Sequence, residues 1–126
     1  MVRVTGFDHL VLDVADAEAS LRFYGGQLGL ELVRVEEWRR GAAPFPSVRV
    51  DATTIIDLLE RPRRGENVDH FCLVVSPTDF AALKEGGRFD VEDGPDRRFG
   101  AQGDGISLYV RDPDHNLVEL RYYERT

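Results

Sequence analysis

The chain has 126 residues, of which 42% are hydrophobic and 31% charged. This length and composition predict one globular domain, residues 1–126, with a core of its own and no room for a second independent domain. The net charge is −7 and basic residues occur together only in short pairs such as Arg39-Arg40. A nucleic-acid-binding surface needs a concentrated basic footprint, so we expect no nucleic-acid partner.

The sequence also lacks the marks of a membrane or secreted protein. No apolar run reaches the roughly 18 residues of a membrane span, and the first residues, MVRVTGFDH, lack the apolar core of a secretory signal. The single cysteine, Cys72, cannot form an internal disulfide. We therefore expect a cytoplasmic protein with no membrane partner.

The first half of the chain predicts one strand, one helix and three further strands. GFDHLVLDV (6–14) is a strand candidate, and Asp16 is a candidate N-cap for a helix with apolar residues at helical spacing that ends at Gly29. Three strand-like segments follow, separated by glycine, proline or polar breaks: ELVRVEEW (31–38), PSVRVD (46–51) and TTIIDLLE (53–60).

After a polar linker at 61–67 the second half repeats this order. VDHFCLVV (68–75) predicts a buried strand, and Ser76-Pro77-Thr78-Asp79 predicts an N-cap, a first-turn proline and a capping-box acid. The helix that follows ends at Gly86-Gly87. Three more strand candidates complete the half: RFDVEDG (88–94), GISLYVRD (105–112) and NLVELRYY (116–123).

Two matched strings indicate that the halves are duplicated modules. Asp8-His9-Leu10 resembles Asp69-His70-Phe71 at an offset of 61 residues, and Ile56-Asp57-Leu58 resembles Val118-Glu119-Leu120 at an offset of 62. The alternative is chance similarity between short strings. We predict module 1 at 1–62, the linker at 61–67 and module 2 at 68–126.

Strand parity places the polar residues of the matched strings on one face. Alternate side chains point to opposite sides of a strand, so His9, Asp57, His70 and Glu119 oppose the bulky apolar sets that suit helix cover. We predict an α+β fold of two βαβββ modules, in which a curved mixed sheet forms a cup and the helices lie on the outer face.

Two imidazoles and one carboxylate on that face form a candidate metal site. His9, His70 and Glu119 suit one divalent ion, Fe, Mn, Ni, Co or Zn, and leave coordination positions open for substrate. Asp57 is an optional fourth ligand. The alternative is that each is an ordinary structural or surface residue. His115 lies in a predicted turn and is not counted as a ligand.

Four segments of the chain resemble the glyoxalase/bleomycin-resistance/extradiol-dioxygenase superfamily, the vicinal oxygen chelate fold. They are FDHLVLDV, FYGGQLGLEL, VDHFCLVV and SLYVRDPDHNLVELRYYE. The resemblance implies paired βαβββ modules, His9, His70 and Glu119 as metal ligands, and a metal that acts as a Lewis acid on the oxygens of a small substrate. Two departures stand out: His115 replaces the usual turn glycine, and Asp57 is shorter than the glutamate of bacterial glyoxalase I.

The residues around the metal are the least defined part of the prediction. Glu119 and Tyr109 are candidate catalytic groups. Ser107 and Tyr109 match the pocket motif of fosfomycin-resistance proteins, SxYxxDPD, and are candidate substrate-binding residues together with Arg49 and Trp38. Arg97 and Arg98 are predicted in a loop, either closing over an anionic substrate or simply solvated.

Three functions remain open at this point. The first is a metal-dependent lyase, isomerase or dioxygenase. The second is an antibiotic-resistance transferase of the fosfomycin type, although Val11 stands where those enzymes carry threonine. The third is a metal-free, drug-sequestering protein of the bleomycin-resistance type. Short members of the superfamily often exchange modules, so we expect a homodimer with His9 of one chain facing His70 and Glu119 of the other.

Overall fold

The computed structural model describes residues 2–62, 65–111, 113 and 115–124. It divides into two compact units. The first is His9–Asp69, called the 9–69 unit. The second joins Met1–Asp8 to His70–Thr126 and is called the split unit. The first strand, β1, runs through the boundary at residue 8 and contributes to both.

The 9–69 unit has the order β-α-β-α-β-β. Asp16 caps the first helix, because its carboxylate accepts the amide hydrogen of Ala19 at 3.2 Å. The helix continues as a π-helical segment, Arg22–Gln27. The remaining elements are β1 (Val4–Val14), α1 (Ala17–Leu21), β2 (Glu31–Val33), α2 (Val35–Arg39), β3 (Ser47–Asp51) and β4 (Thr54–Glu60).

The split unit has the order β-α-β-β-β after its share of β1. Its elements are β5 (Val68–Val75), α3 (Phe80–Glu85), β6 (Asp90–Gly100), β7 (Gly103–Arg111) and β8 (Leu117–Tyr122). The beginning of β1 lies beside β5, where Ser76 N donates to Arg3 O at 2.8 Å and Thr5 Oγ1 to Val74 O at 3.3 Å.

Both units have the same strand connectivity. In the 9–69 unit β2, β3 and β4 pair antiparallel and β4 pairs parallel with β1. In the split unit β6, β7 and β8 pair antiparallel and β8 pairs parallel with β5. Each unit therefore consists of a mixed sheet with helices, and the predicted α+β fold of two βαβββ modules is confirmed.

Helices cover the face of each sheet that strand parity predicted. In the split unit Phe80 of α3 packs with apolar residues of β5, β7 and β8, among them Val75 and Leu120. In the 9–69 unit Leu21 and Val35 pack against Leu58. Burial of these apolar surfaces is the main favourable term that holds each helix to its sheet.

Three local predictions were wrong. Segment 31–38 is not one strand, because Arg34 adopts a left-handed conformation (φ 58°) that ends β2 and starts α2. The cap of α3 is Asp79, whose carboxylate accepts from Ala82 N at 3.1 Å, and not Ser76. Arg97 and Arg98 do not lie in a loop, because β6 extends to Gly100 and pairs them with Ile106 and Gly105 of β7.

Parts of two other predictions lie outside the described residues. Those parts are the basic pair of the linker, Arg63-Arg64, and two acids of the predicted turn, Asp112 and Asp114. His115, which is described, has φ 67°, as its place at a turn glycine position requires. Across the described ranges, none of the helices combines the length and the apolar character of a bilayer span.

Candidate metal centre

In the split unit an imidazole and a carboxylate face each other at a separation that two ligands of one metal ion can have. His70 lies on β5 and Glu119 on the neighbouring parallel strand β8. The distance from His70 Nε2 to Glu119 Oε1 is 3.1 Å. Glu119 is only 1% exposed. A buried carboxylate is retained where it has specific partners, because an unpaired buried charge is strongly destabilising.

The other oxygen of Glu119 is held by a serine. Ser107 lies on β7 and is fully buried, and its hydroxyl donates to Glu119 Oε2 at 2.7 Å. The two oxygens therefore have different surroundings, since Oε2 is fixed from β7 while Oε1 faces His70. Ser107 was predicted to bind substrate, and in the structure its hydroxyl contacts Glu119.

Tyr109 lies beside the same pair. Its register partner across β7 and β8 is Glu119, and its ring meets the His70 ring edge-on with centroids 5.4 Å apart. Burial, and then the negative charge of Glu119, raise the pKa of the Tyr109 phenol above its usual value. The phenol is therefore neutral at pH 7 and available as a hydrogen-bond donor.

A buried ionic cluster lies next to Glu119, and the sequence analysis missed it. Arg121 and Asp8 are both fully buried, with Arg121 Nη1 3.6 Å from Asp8 Oδ2 and 3.6 Å from Glu119 Oε2. Tyr123 donates its phenolic hydrogen to Asp8 Oδ1. The available signal was a strand position: Arg121 follows Glu119 by two residues and so shares its face.

Cys72 completes the buried surroundings of Glu119. It is fully buried and is the register partner of Glu119 across β5 and β8. Burial first, and then the charges of Glu119 and Asp8, raise the pKa of the Cys72 thiol well above its usual value. The thiol therefore keeps its proton at neutral pH and is a poor nucleophile.

The 9–69 unit contains a second histidine–carboxylate pair at the corresponding strands. His9 on β1 is 2% exposed and its Nε2 lies 3.9 Å from Oδ2 of Asp57 on β4. The hydroxyl of Ser47 on β3 donates to Asp57 Oδ1 at 2.5 Å. Both units thus hold a buried carboxylate by a serine from the adjacent antiparallel strand, which extends the duplication beyond the matched strings. Ser47 was not identified from the sequence.

The donor atoms of the split unit fit a divalent ion. Imidazole nitrogen and carboxylate oxygen bind such ions at about 2.1 Å. Two such ligands at roughly 90° lie about 3.0 Å apart, close to the 3.1 Å between His70 Nε2 and Glu119 Oε1. Both residues lie on strands that pair with each other, so their backbones are held in place and only small side-chain movements are needed to bind the ion.

The remaining predicted residues have other surroundings. Arg49 on β3 donates through Nη1 to the carbonyl oxygens of Asp51 and Ala52, at 3.2 and 3.3 Å. Trp38 lies in α2 and packs against the apolar cluster of the 9–69 unit that contains Leu21 and Val35. The structure thus brings together His70, Glu119, Ser107 and Tyr109 in the split unit, and His9 and Asp57 in the 9–69 unit.

Comparison with known proteins identifies relatives along most of the chain. It is 31% identical to the virulence protein STM3117 of Salmonella typhimurium, over 92% of this chain and 83% of that protein. It is 34% identical to the glyoxalase domain-containing protein RDO1 of Mycosarcoma maydis, over 96% of this chain and 70% of that protein.

The fold is similar to that of methylmalonyl-CoA epimerase from Streptomyces coelicolor, with a TM-score of 0.70 at 21% identity over 97% of this chain and 99% of that one. The epimerase of Mycobacterium tuberculosis gives a TM-score of 0.63 at 19% identity, over 97% and 90% of the two chains. At these identities the likeness concerns the fold alone. Residues 6–120 match the sequence family itself. The chain belongs to the Glyoxalase/Bleomycin resistance protein/Dioxygenase superfamily.

Proposed function

We propose that the chain is a metal-dependent enzyme that holds one divalent ion through His9, His70 and Glu119 and acts on a small, oxygen-rich substrate. The observation that carries this proposal is the pair formed by half-buried His70 and buried Glu119. Their facing atoms lie at ligand distance, and the second Glu119 oxygen is already fixed by Ser107. Asp57 is the proposed optional fourth ligand.

The ligand set is completed by analogy between the two units. His9 occupies on β1 the place that His70 occupies on β5, and Asp57 occupies on β4 the place of Glu119 on β8. The superfamily resemblance assigns His9 to the same ion. With no thiolate in this set, a catalytic metal site with open positions is favoured over a closed structural one.

A bound ion would polarise substrate oxygens as a Lewis acid. The residues of the chain would do the rest. Ser107 keeps Glu119 oriented, and the neutral phenol of Tyr109 donates a hydrogen bond to a substrate oxygen as negative charge develops there. Among lyase, isomerase and dioxygenase reactions, isomerisation is the first to assay, since two structural neighbours are epimerases.

The test is the metal content of protein purified without chelator. We expect about one divalent ion per chain, and H70A should lower it at least tenfold. The apolar cluster around α3 does not include His70, so we expect H70A to keep its fold, measured by circular dichroism at 25 °C. Its melting temperature should fall, because buried Glu119 loses a partner. The matched control is H115N, which replaces the turn histidine by a residue that tolerates positive φ.

The outcomes separate the candidate functions. Wild-type protein without metal would contradict the proposal and favour a metal-free, drug-sequestering protein. Unchanged metal in H70A would contradict the assignment of His70 as a ligand. Loss of activity in air that Fe(II) restores would assign a dioxygenase. Thiol-dependent inactivation of an electrophilic antibiotic would assign a transferase of the fosfomycin type.

A further inference from the structure

We propose that Arg121 is a positioning residue for Glu119, and that Asp8 and the β6–β7 hairpin hold the Arg121 guanidinium in place. This inference rests on the proposed metal site. Arg121 does not replace a ligand. It fixes the oxygen of Glu119 that points away from His70, so that the other oxygen is presented in one orientation.

The geometry around Glu119 supports this role. Ser107 approaches Oε2 at 2.7 Å and Arg121 Nη1 lies 3.6 Å from the same oxygen, while His70 faces Oε1 at 3.1 Å. Arg121 and Glu119 are both buried. With little water near the carboxylate, its orientation depends on these protein groups and not on solvent.

The guanidinium itself is fixed by backbone carbonyls. Arg121 donates through Nη1 to the carbonyl oxygen of Phe99 at 3.0 Å and through Nη2 to that of Arg98. Both carbonyls lie at the end of β6, just before the turn to β7. The planar fork of arginine matches such paired acceptors, which the compact ammonium of lysine does not.

Two glycines make room for this group. A Cβ at residue 100 would lie 2.5 Å from Arg121 Cζ and 2.7 Å from the hydroxyl oxygen of Tyr123. A Cβ at residue 105 would lie 3.0 Å from Arg121 Nη2. The absence of side chains at Gly100 and Gly105 therefore creates the space in which the guanidinium lies.

Asp8 balances the charge and ties the cluster to the hairpin. Its Oδ2 accepts the amide hydrogen of Ala101 at 3.0 Å, and its Oδ1 accepts the hydroxyl hydrogen of Tyr123. Tyr123 in turn accepts from Gln102 N at 3.2 Å. Counted as formal charges, the cluster of Asp8, Glu119 and Arg121 has two acids and one base, a formal net charge of −1.

Removing Arg121 alone would mix two effects. The loss of a positive charge strengthens the attraction of a cation to Glu119, whereas the loss of orientation weakens binding. The double variant D8N/R121M separates them, because it removes one charge of each sign and keeps the net charge of the cluster at −1. Replacing both members of a buried ion pair is also better tolerated than removing one.

The experiment measures Co(II) affinity by competition with a chromophoric chelator, the visible Co(II) absorption spectrum, and the melting temperature. We expect D8N/R121M to fold and to bind Co(II) at least tenfold more weakly than wild type, with an altered spectrum. R121K, which keeps the charge without the fork, should fall between the two. The control R111M breaks an exposed ion pair with Glu92 on the same unit and should leave affinity and spectrum unchanged.

The results distinguish this inference from the proposed function. If wild type binds no Co(II), both fall. If wild type binds and H70A does not, while D8N/R121M matches wild type in affinity and spectrum, the metal site stands and the role of Arg121 is overturned. If the double variant does not fold, R121K decides: wild-type affinity and spectrum in R121K would overturn the inference, and weakened binding would support it.

Discussion

Three side chains close to Glu119 or Asp8 have pKa values that their buried surroundings raise. Cys72, Tyr109 and Tyr123 all have pKa values raised by burial first and by nearby carboxylates second. Each therefore keeps its proton through the neutral range. The thiol and the two phenols therefore act as neutral groups beside Asp8 and Glu119, and none of the three adds a negative charge at neutral pH.

Tyr123 gives a direct test of this electrostatic arrangement. Its pKa is raised by burial and by the hydrogen bond to Asp8, so it should ionise later than the usual value of about 10. The unfolded chain releases the same proton near pH 10, and the free energy of unfolding should therefore fall as pH rises past that point.

An absorbance titration at 295 nm should show late-ionising tyrosine in the folded wild type, and Y123F should lack one late step and lose less stability between pH 9 and 11. Complete ionisation of all tyrosines near pH 10 with the fold intact would contradict this account.

Among the elements, the β6–β7 hairpin is built around a buried side chain and not around its own turn. We expect G100A to destabilise the protein by about 2–4 kcal/mol, because the new methyl group would overlap Arg121 and Tyr123. The matched control is G6A in β1, where a Cβ meets no atom within 4 Å. Urea unfolding measures both variants. Equal stability of G100A and G6A would show that the guanidinium is not held as described.

Element prediction succeeded where local pattern and tertiary packing agree. Strands β1, β4, β5 and β8 carry dense apolar patterns and were found within a few residues, and Asp16 was identified as a cap from its place before an apolar period. Prediction failed at Arg34, where a left-handed residue replaced an expected strand. Backbone conformation at a single non-glycine residue leaves no periodic signal.

The same contrast applies to the candidate site. Residue type and parity along single strands selected His70 and Glu119. In the structure His70 Nε2 lies 3.1 Å from Glu119 Oε1. Contacts between distant segments were beyond such reasoning. Asp8 and Tyr123 are 115 residues apart in sequence, and the matched string that contains Asp8 gave no indication of a contact with Tyr123. The serine of each carboxylate likewise depends on strand register, which alternation alone does not fix.

At the scale of the whole molecule, the proposed ligands belong to both units. The 9–69 unit carries His9 and the split unit carries His70 and Glu119. We predict a homodimer with exchanged modules, in which His9 of one chain completes the site of the other. Sedimentation that shows only monomer at micromolar concentration would contradict it.

Mixing two inactive variants tests the exchange directly. H9A and H70A should each lose metal. After joint unfolding and refolding, an exchanged heterodimer has one site with both histidines and one with neither, so half of its metal capacity should return. Refolding H9A with itself is the control. No recovery in the mixture would place all three ligands on the same chain.

The division of the chain at residue 8 bears on how the protein forms during synthesis. The 9–69 unit is contiguous in sequence, so we expect that it can begin to fold before the last strands have been synthesised. The split unit contains both the first eight residues and the last strand. The contacts of Asp8 with Arg121 and Tyr123 can therefore form only after those two residues have been synthesised. Such distant contacts form late, because a long loop must be closed before they contribute. The pocket around Glu119 would then be the last part of the molecule to form.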